Sequence, residues 1–181
     1  MQFLRSLFRS PNPTTEWKED PSVPVVLDLD RHRLSGSGIR DPLAGLSFLG
    51  PATASGSILS FPRKGIMVGF ANGRITSFAA YVSASAEEEV ERFCGGFHYQ
   101  GRRLDLSQET TEEEILRLFG PPYWRDQDAE EVIIFYEFGE HEWQIEINLS
   151  GHLRVFMIAP PILADEKQRA AYGVTKPWPP T

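Results

Sequence analysis

The chain has 181 residues, 41% of them hydrophobic, and a formal net charge of −7, which is length enough to bury a core without a covalent or metal staple. Its one cysteine, Cys94, excludes an intrachain disulfide and a four-cysteine zinc site, and it has no run of eighteen apolar residues for a membrane span. The acid is concentrated: residues 107–150 hold twelve Asp or Glu against Arg117 and Arg125, or −10 with His neutral, a field that repels nucleic acid and favours a basic partner.

Residues 1–9 place Phe3, Leu4, Leu7 and Phe8 at helical spacing beside Arg5 and Arg9, a pattern suited to peripheral contact with a membrane surface or a partner. They lack a long hydrophobic signal segment and a cleavage site, so secretion is not expected and the cytoplasm is the expected compartment. Residues 10–24, rich in Pro, Ser, Thr and charge, complete an N-terminal arm. A strand follows at 25–29, then a basic connection over 30–40. Within it Ser35-Gly36-Ser37-Gly38 lacks the downstream Lys and hydroxyl of a phosphate loop. Residues 41–52 read as a short helix-like segment closed by Leu49-Gly50-Pro51. Strands at 57–61 and 66–70 flank the turn Pro62-Arg63-Lys64-Gly65, and Asn72-Gly73 reverses the chain into a return strand over 74–81.

Ser85 and Glu88 have capping-box spacing, which predicts a helix with Val90, Phe93 and Cys94 on its buried side and Gly95-Gly96 at its end. Residues 97–103 read as a loop or irregular strand before Leu104-Asp105-Leu106. A second capping box, Thr111 with Glu114, opens a helix carrying Ile115, Leu116, Leu118 and Phe119, which Gly120 and two prolines terminate. The segment 123–130 reads as an exposed insertion. Trp143, Ile145, Ile147 and Leu149 alternate with polar residues, which predicts a strand with one packed and one wet face. Ser150-Gly151 turns it into a return strand over 152–158. The chain then leaves through Pro160-Pro161 into a short helix at 164–171 and a Pro-rich tail.

Leu49-Gly50-Pro51 matches Phe119-Gly120-Pro121, and similar hairpins follow each corner. The expectation is therefore an α+β fold of two tandem helix-plus-antiparallel-sheet units, able to join into one continuous sheet. The expected divisions are a flexible arm at 1–24, a first unit at 25–103, a second at 104–163 and an extension at 164–181.

No Walker loop, dinucleotide fingerprint, zincin motif or nucleophile elbow is present. Cys94 with His98 would suit a nucleophile and base, and His98, Glu137, His141 and Glu142 would suit a metal, but spacing establishes neither. No metal or cofactor is expected. Carboxylates are so abundant over 109–146 that no acid/base pair stands out. Recognition is the more concrete reading: Tyr123 and Trp124 offer aromatic contact area, with Asp126, Asp128, Glu130, Glu131, Glu140 and Glu142 selecting a basic surface. Trp143, at the start of the alternating strand, is the aromatic most suited to the core.

The helix, Gly-Pro corner and antiparallel strands, above all 111–122 and the following hairpin, resemble the tandem-repeat beta-lactamase inhibitor proteins and the small outer-membrane assembly lipoproteins. The resemblance spans roughly 25–158 and implies a scaffold whose sheet and loop surfaces recognise other proteins. The chain departs from the lipoproteins in having no cysteine near residue 1, and from the secreted inhibitor proteins in having only Cys94, which cannot reproduce their disulfides. The expected function is a noncatalytic protein-binding module of the inhibitor or immunity type, acting on a basic partner surface. The alternatives are a small-molecule-binding protein, a cysteine-dependent enzyme or a structural component.

Overall fold

The computed structural model describes residues 12–86 and 88–179; the amphipathic pattern of residues 1–9 lies outside them. Among the described residues, thirteen strands form two sheets. The smaller contains β1 (Val26–Asp28), β2 (Arg33–Leu34), β3 (Ser37–Gly38), β8 (Gly96–Tyr99) and β9 (Arg102–Leu104), in the order β3-β2-β1-β8-β9. The larger is built from two meanders. The first is β4 (Thr53–Ser55), β5 (Ile58–Phe61), β6 (Ile66–Ala71) and β7 (Arg74–Tyr81), and the second is β10 (Trp124–Gln127), β11 (Glu131–Glu137), β12 (Glu142–Asn148) and β13 (Leu153–Ala159). They meet where β13 pairs antiparallel with β7, so the order is β10-β11-β12-β13-β7-β6-β5-β4.

This β-rich architecture corrects the expected α+β fold of two helix-plus-sheet units. The predicted helix after Ser85 does not form, and only half of its capping box does: the Glu88 N–H donates to Ser85 Oγ at 3.2 Å, but the Glu88 carboxylate accepts from the Ser85 hydroxyl rather than from the Ser85 N–H. Instead Ser85 and Val90 exchange both backbone hydrogen bonds, at 2.8 and 2.9 Å, and Glu89 takes a left-handed φ of 54°. Residues 91–94 then run extended, with N–H groups of Glu91, Phe93 and Cys94 bonded to carbonyls of Pro62, Tyr81 and Lys64. A helix too short to hold itself in water yields to these tertiary bonds.

The first expected helix is also not an α-helix. Residues Leu43–Leu49 form a 3-10 helix capped by Pro42, which offers no side-chain bond. Its buried residues, Leu43, Leu46 and Leu49, recur every three positions and so share one face only at three residues per turn. The second capping box behaves as expected: Thr111 and Glu114 bond reciprocally at the start of α1 (Glu112–Phe119). Both segments end in a glycine of nearly the same conformation, Gly50 at φ 81° and Gly120 at φ 79°, ahead of the proline. A last helix, α2 (Glu166–Ala171), is capped by Asp165.

The main core lies between one face of the large sheet and the small sheet with the helical segments, where Leu27, Leu46, Phe78, Ile115, Ile145 and Phe156 are buried together. On the other face, β11 sends Phe135 against Tyr123 and Leu163, with Trp124, Tyr172 and Trp178 packed around them. Thus the chain after β13 covers the outer end of that face. No helix among the described residues is long and apolar enough to cross a membrane.

Candidate functional site

The end of the β11–β12 hairpin carries an arrangement that neither strand pattern discloses. Glu137 on β11 stands directly across from Glu142 on β12, the last pair of the ladder. Like charges so placed repel. Glu142 is fully buried and takes donors on both oxygens, from Gln144 Nε2 at 2.6 Å and the Leu163 N–H at 3.5 Å. Neither oxygen of Glu137 has a donor within reach. Two carboxylates can bond only if one holds the proton, and the unassisted one is Glu137. Burial, then the hydrogen bond and the charge of Glu142, push its carboxyl up to about 10.

Glu137 lines a cleft of about 540 Å³. Its walls come from distant parts of the chain: Tyr99 ends β8, Phe119 ends α1, Pro121 and Pro122 form the corner, and Tyr136, Phe138 and Trp143 belong to the hairpin. Trp143 is 1% exposed and anchors the aromatic wall, with ring centres at 4.4 Å from Phe138, 5.2 Å from Phe119 and 5.8 Å from Tyr99. Its indole N–H has no partner. The Tyr136 hydroxyl donates to the Gly120 carbonyl at 2.7 Å, tying the Gly-Pro corner to the cleft wall.

The remaining rim is the C-terminal segment. Lys176 and Pro177 line the cleft. The Lys176 ammonium donates to the Tyr123 carbonyl at 2.7 Å and lies 5.9 Å from the centre of the Tyr123 ring, while the Tyr123 hydroxyl donates to the Pro177 carbonyl at 3.0 Å. Behind Phe138 and Trp143 stands a histidine pair. His32 stacks on His141 with ring centres 4.6 Å apart, and burial together with His141 lowers His32 to about 4.

No protein-family model and no curated protein matches this chain. Among solved structures it is similar to a DUF4309 family protein (YjgB) from Bacillus subtilis, at 13% identity and a TM-score of 0.48, over 71% of this chain and 84% of that one.

The residues expected to recognise a partner are dispersed. Tyr123 is 9% exposed and packed under Trp178. Trp124 is half-buried, its indole N–H donating to the Tyr172 carbonyl at 3.1 Å. Asp126 is half-buried on edge strand β10. Asp128 and Glu130 are exposed in the turn to β11, where Asp128 accepts from the N–H groups of Glu130 and Glu131. Glu140 is exposed and pairs with Arg40 at 3.2 Å, whereas Glu142 is interior. Glu131 joins Glu146 around Arg154. Cys94 and His98 are both exposed and line a separate cleft of about 410 Å³, with no hydrogen bond between them among the described residues. No group of three His, Cys, Asp or Glu there is arranged to hold a metal.

Glu137, Tyr136, Phe138, Phe119, Tyr99 and Lys176 were not among the expected recognition residues. One signal was present: on β11 the outward register reads Ile133, Phe135, Glu137, so a carboxylate continues an apolar series.

Proposed function

We propose that this chain is a noncatalytic, intracellular binding module that holds a basic protein partner at the cleft beside Glu137. The observation that supports the reading is an open cleft of about 540 Å³ walled by the rings of Tyr99, Phe119, Tyr136, Phe138 and Trp143. Aromatic walls add attraction for a cation. Exposed acid on the same hairpin, Glu140 in the turn beside the cleft and Asp128 and Glu130 at the far end of β11, supplies long-range attraction for the same partner.

The test is fluorescence anisotropy of labelled Lys- and Arg-rich, neutral, and Asp- and Glu-rich peptides at several salt concentrations. Binding of the basic peptides alone, weakening with salt, supports the reading. Equal binding of all three classes, or none, refutes it.

A further inference from the structure

We propose that the chain's own residues 1–9 dock in a groove on the large sheet, laying their apolar side chains over Met67 and Met157 and their arginines beside Glu88 and Glu89. Trp143 points to the opposite face of that sheet, so this contact is separate from the cleft that Trp143 anchors.

Strand pairing builds the groove floor, because residues directly opposite one another share a face. Thr53, Ser60, Met67, Ala79 and Met157 pair in turn across β4, β5, β6, β7 and β13, and the row continues through Gln144 and Phe135 to Trp124. At the Phe135 end the C-terminal segment covers it with Leu163, Tyr172 and Trp178. The other end forms a groove of about 540 Å³. There the small Ala79 stands between the two methionines, and Ile58, 45% exposed, joins the lining. Methionine side chains adapt readily to an apolar occupant. The rim carries the exposed Glu88 and Glu89, and among the described residues the lining holds no Lys or Arg.

Residues 1–9 match that surface. Phe3, Leu4, Leu7 and Phe8 share one side at helical spacing, Arg5 and Arg9 accompany them, and no Asp or Glu is among the nine. The chain is also delivered to the spot. Asn12 Nδ2 donates to the Ala52 carbonyl at 2.8 Å and the Ala52 N–H donates to Thr14 Oγ1 at 2.9 Å, which fixes the chain beside Thr53, the first residue of the row. From β4 to β13 the distance is four strand spacings, about 19 Å. Eleven residues precede Asn12, and their extended reach is about 36 Å. Nine helical residues span about 14 Å, so the segment is long enough to cover the methionines in either form. Tethering gives it an effective concentration of about a millimolar, enough for a modest apolar and ionic contact to hold.

The experiment is NMR of the full chain with isotope-labelled methionine methyl groups, in which Met67 and Met157 report the groove. Phe3→Asp with Leu7→Asp should shift both signals. A synthetic peptide of residues 1–9 should return them toward their original positions, and it should bind that variant at least about tenfold more tightly than the original chain, whose groove is filled. Arg5→Glu with Arg9→Glu should also shift both signals, and adding Glu88→Arg with Glu89→Arg should reverse the shift. This charge exchange serves if the first variant does not fold. Signals unmoved by both N-terminal variants, equal peptide affinity for variant and original, or no reversal by the charge exchange overturns the proposal. A shift that appears only at high protein concentration overturns it too, by assigning the segment to a second copy. So does loss of binding to phosphatidylserine vesicles in the N-terminal variants with both methionine signals unmoved, which assigns the segment to a lipid surface.

Discussion

Replacing Glu137 with Gln should stabilise the protein at neutral pH, an unusual direction for removing a polar residue from a half-buried site. The carboxyl has an ordinary value of 4.5 and is raised to about 10 in the folded chain. Between these values the folded state holds a proton that the unfolded chain releases, so stability is fully present below 4.5 and falls as pH rises toward 10. At pH 7 the interval above 4.5 would cost about 3 kcal/mol for a fully desolvated group, and partial exposure reduces this to about 1–2 kcal/mol. Gln keeps the shape, donates to Glu142 and does not titrate. Urea unfolding of both proteins from pH 5 to 8 isolates the effect, since groups common to both cancel in the difference. The variant should match the original near pH 5 and exceed it by about 1–2 kcal/mol at pH 7. A difference independent of pH, or a variant that weakens as pH rises, would refute the shared-proton account.

The histidine stack has the opposite sign. His32 is lowered from 6.5 to about 4, by burial and His141 against the pull of Asp28 and Asp30, and His141 in turn lies near Glu140 and Arg40. Its contribution is therefore present above 6.5 and lost toward pH 4, so His32→Asn, which suits the positive φ of 53°, should flatten the acid side of the urea profile by about 1–2 kcal/mol after allowing for exposure. Gly65 has φ 66°, and a Cβ there would enter the backbone of Arg92 and Phe93, so Gly65→Ala should cost about 2–3 kcal/mol. Gly73→Ala, with a similar φ but open space, should cost only about 1 kcal/mol in the same thermal melts. Thr111→Ala should cost about 1 kcal/mol and reduce helical circular dichroism, whereas Ser85→Ala, whose capping bonds start no helix, should leave that signal unchanged.

Local signals were legible where one short stretch decides the outcome. The Thr111 capping box, the Asn72-Gly73 turn and the Trp143, Ile145, Ile147 alternation all appear in the structure. Leu149 departs from that alternation, 59% exposed beyond the end of β12. The helix after Ser85 failed because backbone partners at Pro62, Lys64 and Tyr81 are remote in sequence, and no local pattern records them. The three-residue spacing of Leu43, Leu46 and Leu49 was the visible sign of a 3-10 helix. Two-residue strands such as β2 and β3 are too short to show alternation at all. The cleft was hidden for a topological reason: Tyr99, Phe119, Glu137 and Lys176 meet only after both sheets and the C-terminal segment are in place.

The chain's four tryptophans, Trp17, Trp124, Trp143 and Trp178, make indole NMR signals the most direct measure of whether a basic partner enters beside Glu137. During titration with a Lys-rich peptide, the Trp143 indole N–H, which has no partner, should shift, while that of Trp124, bonded to Tyr172, stays in place. A peptide that binds while the Trp143 signal remains fixed would contradict the account.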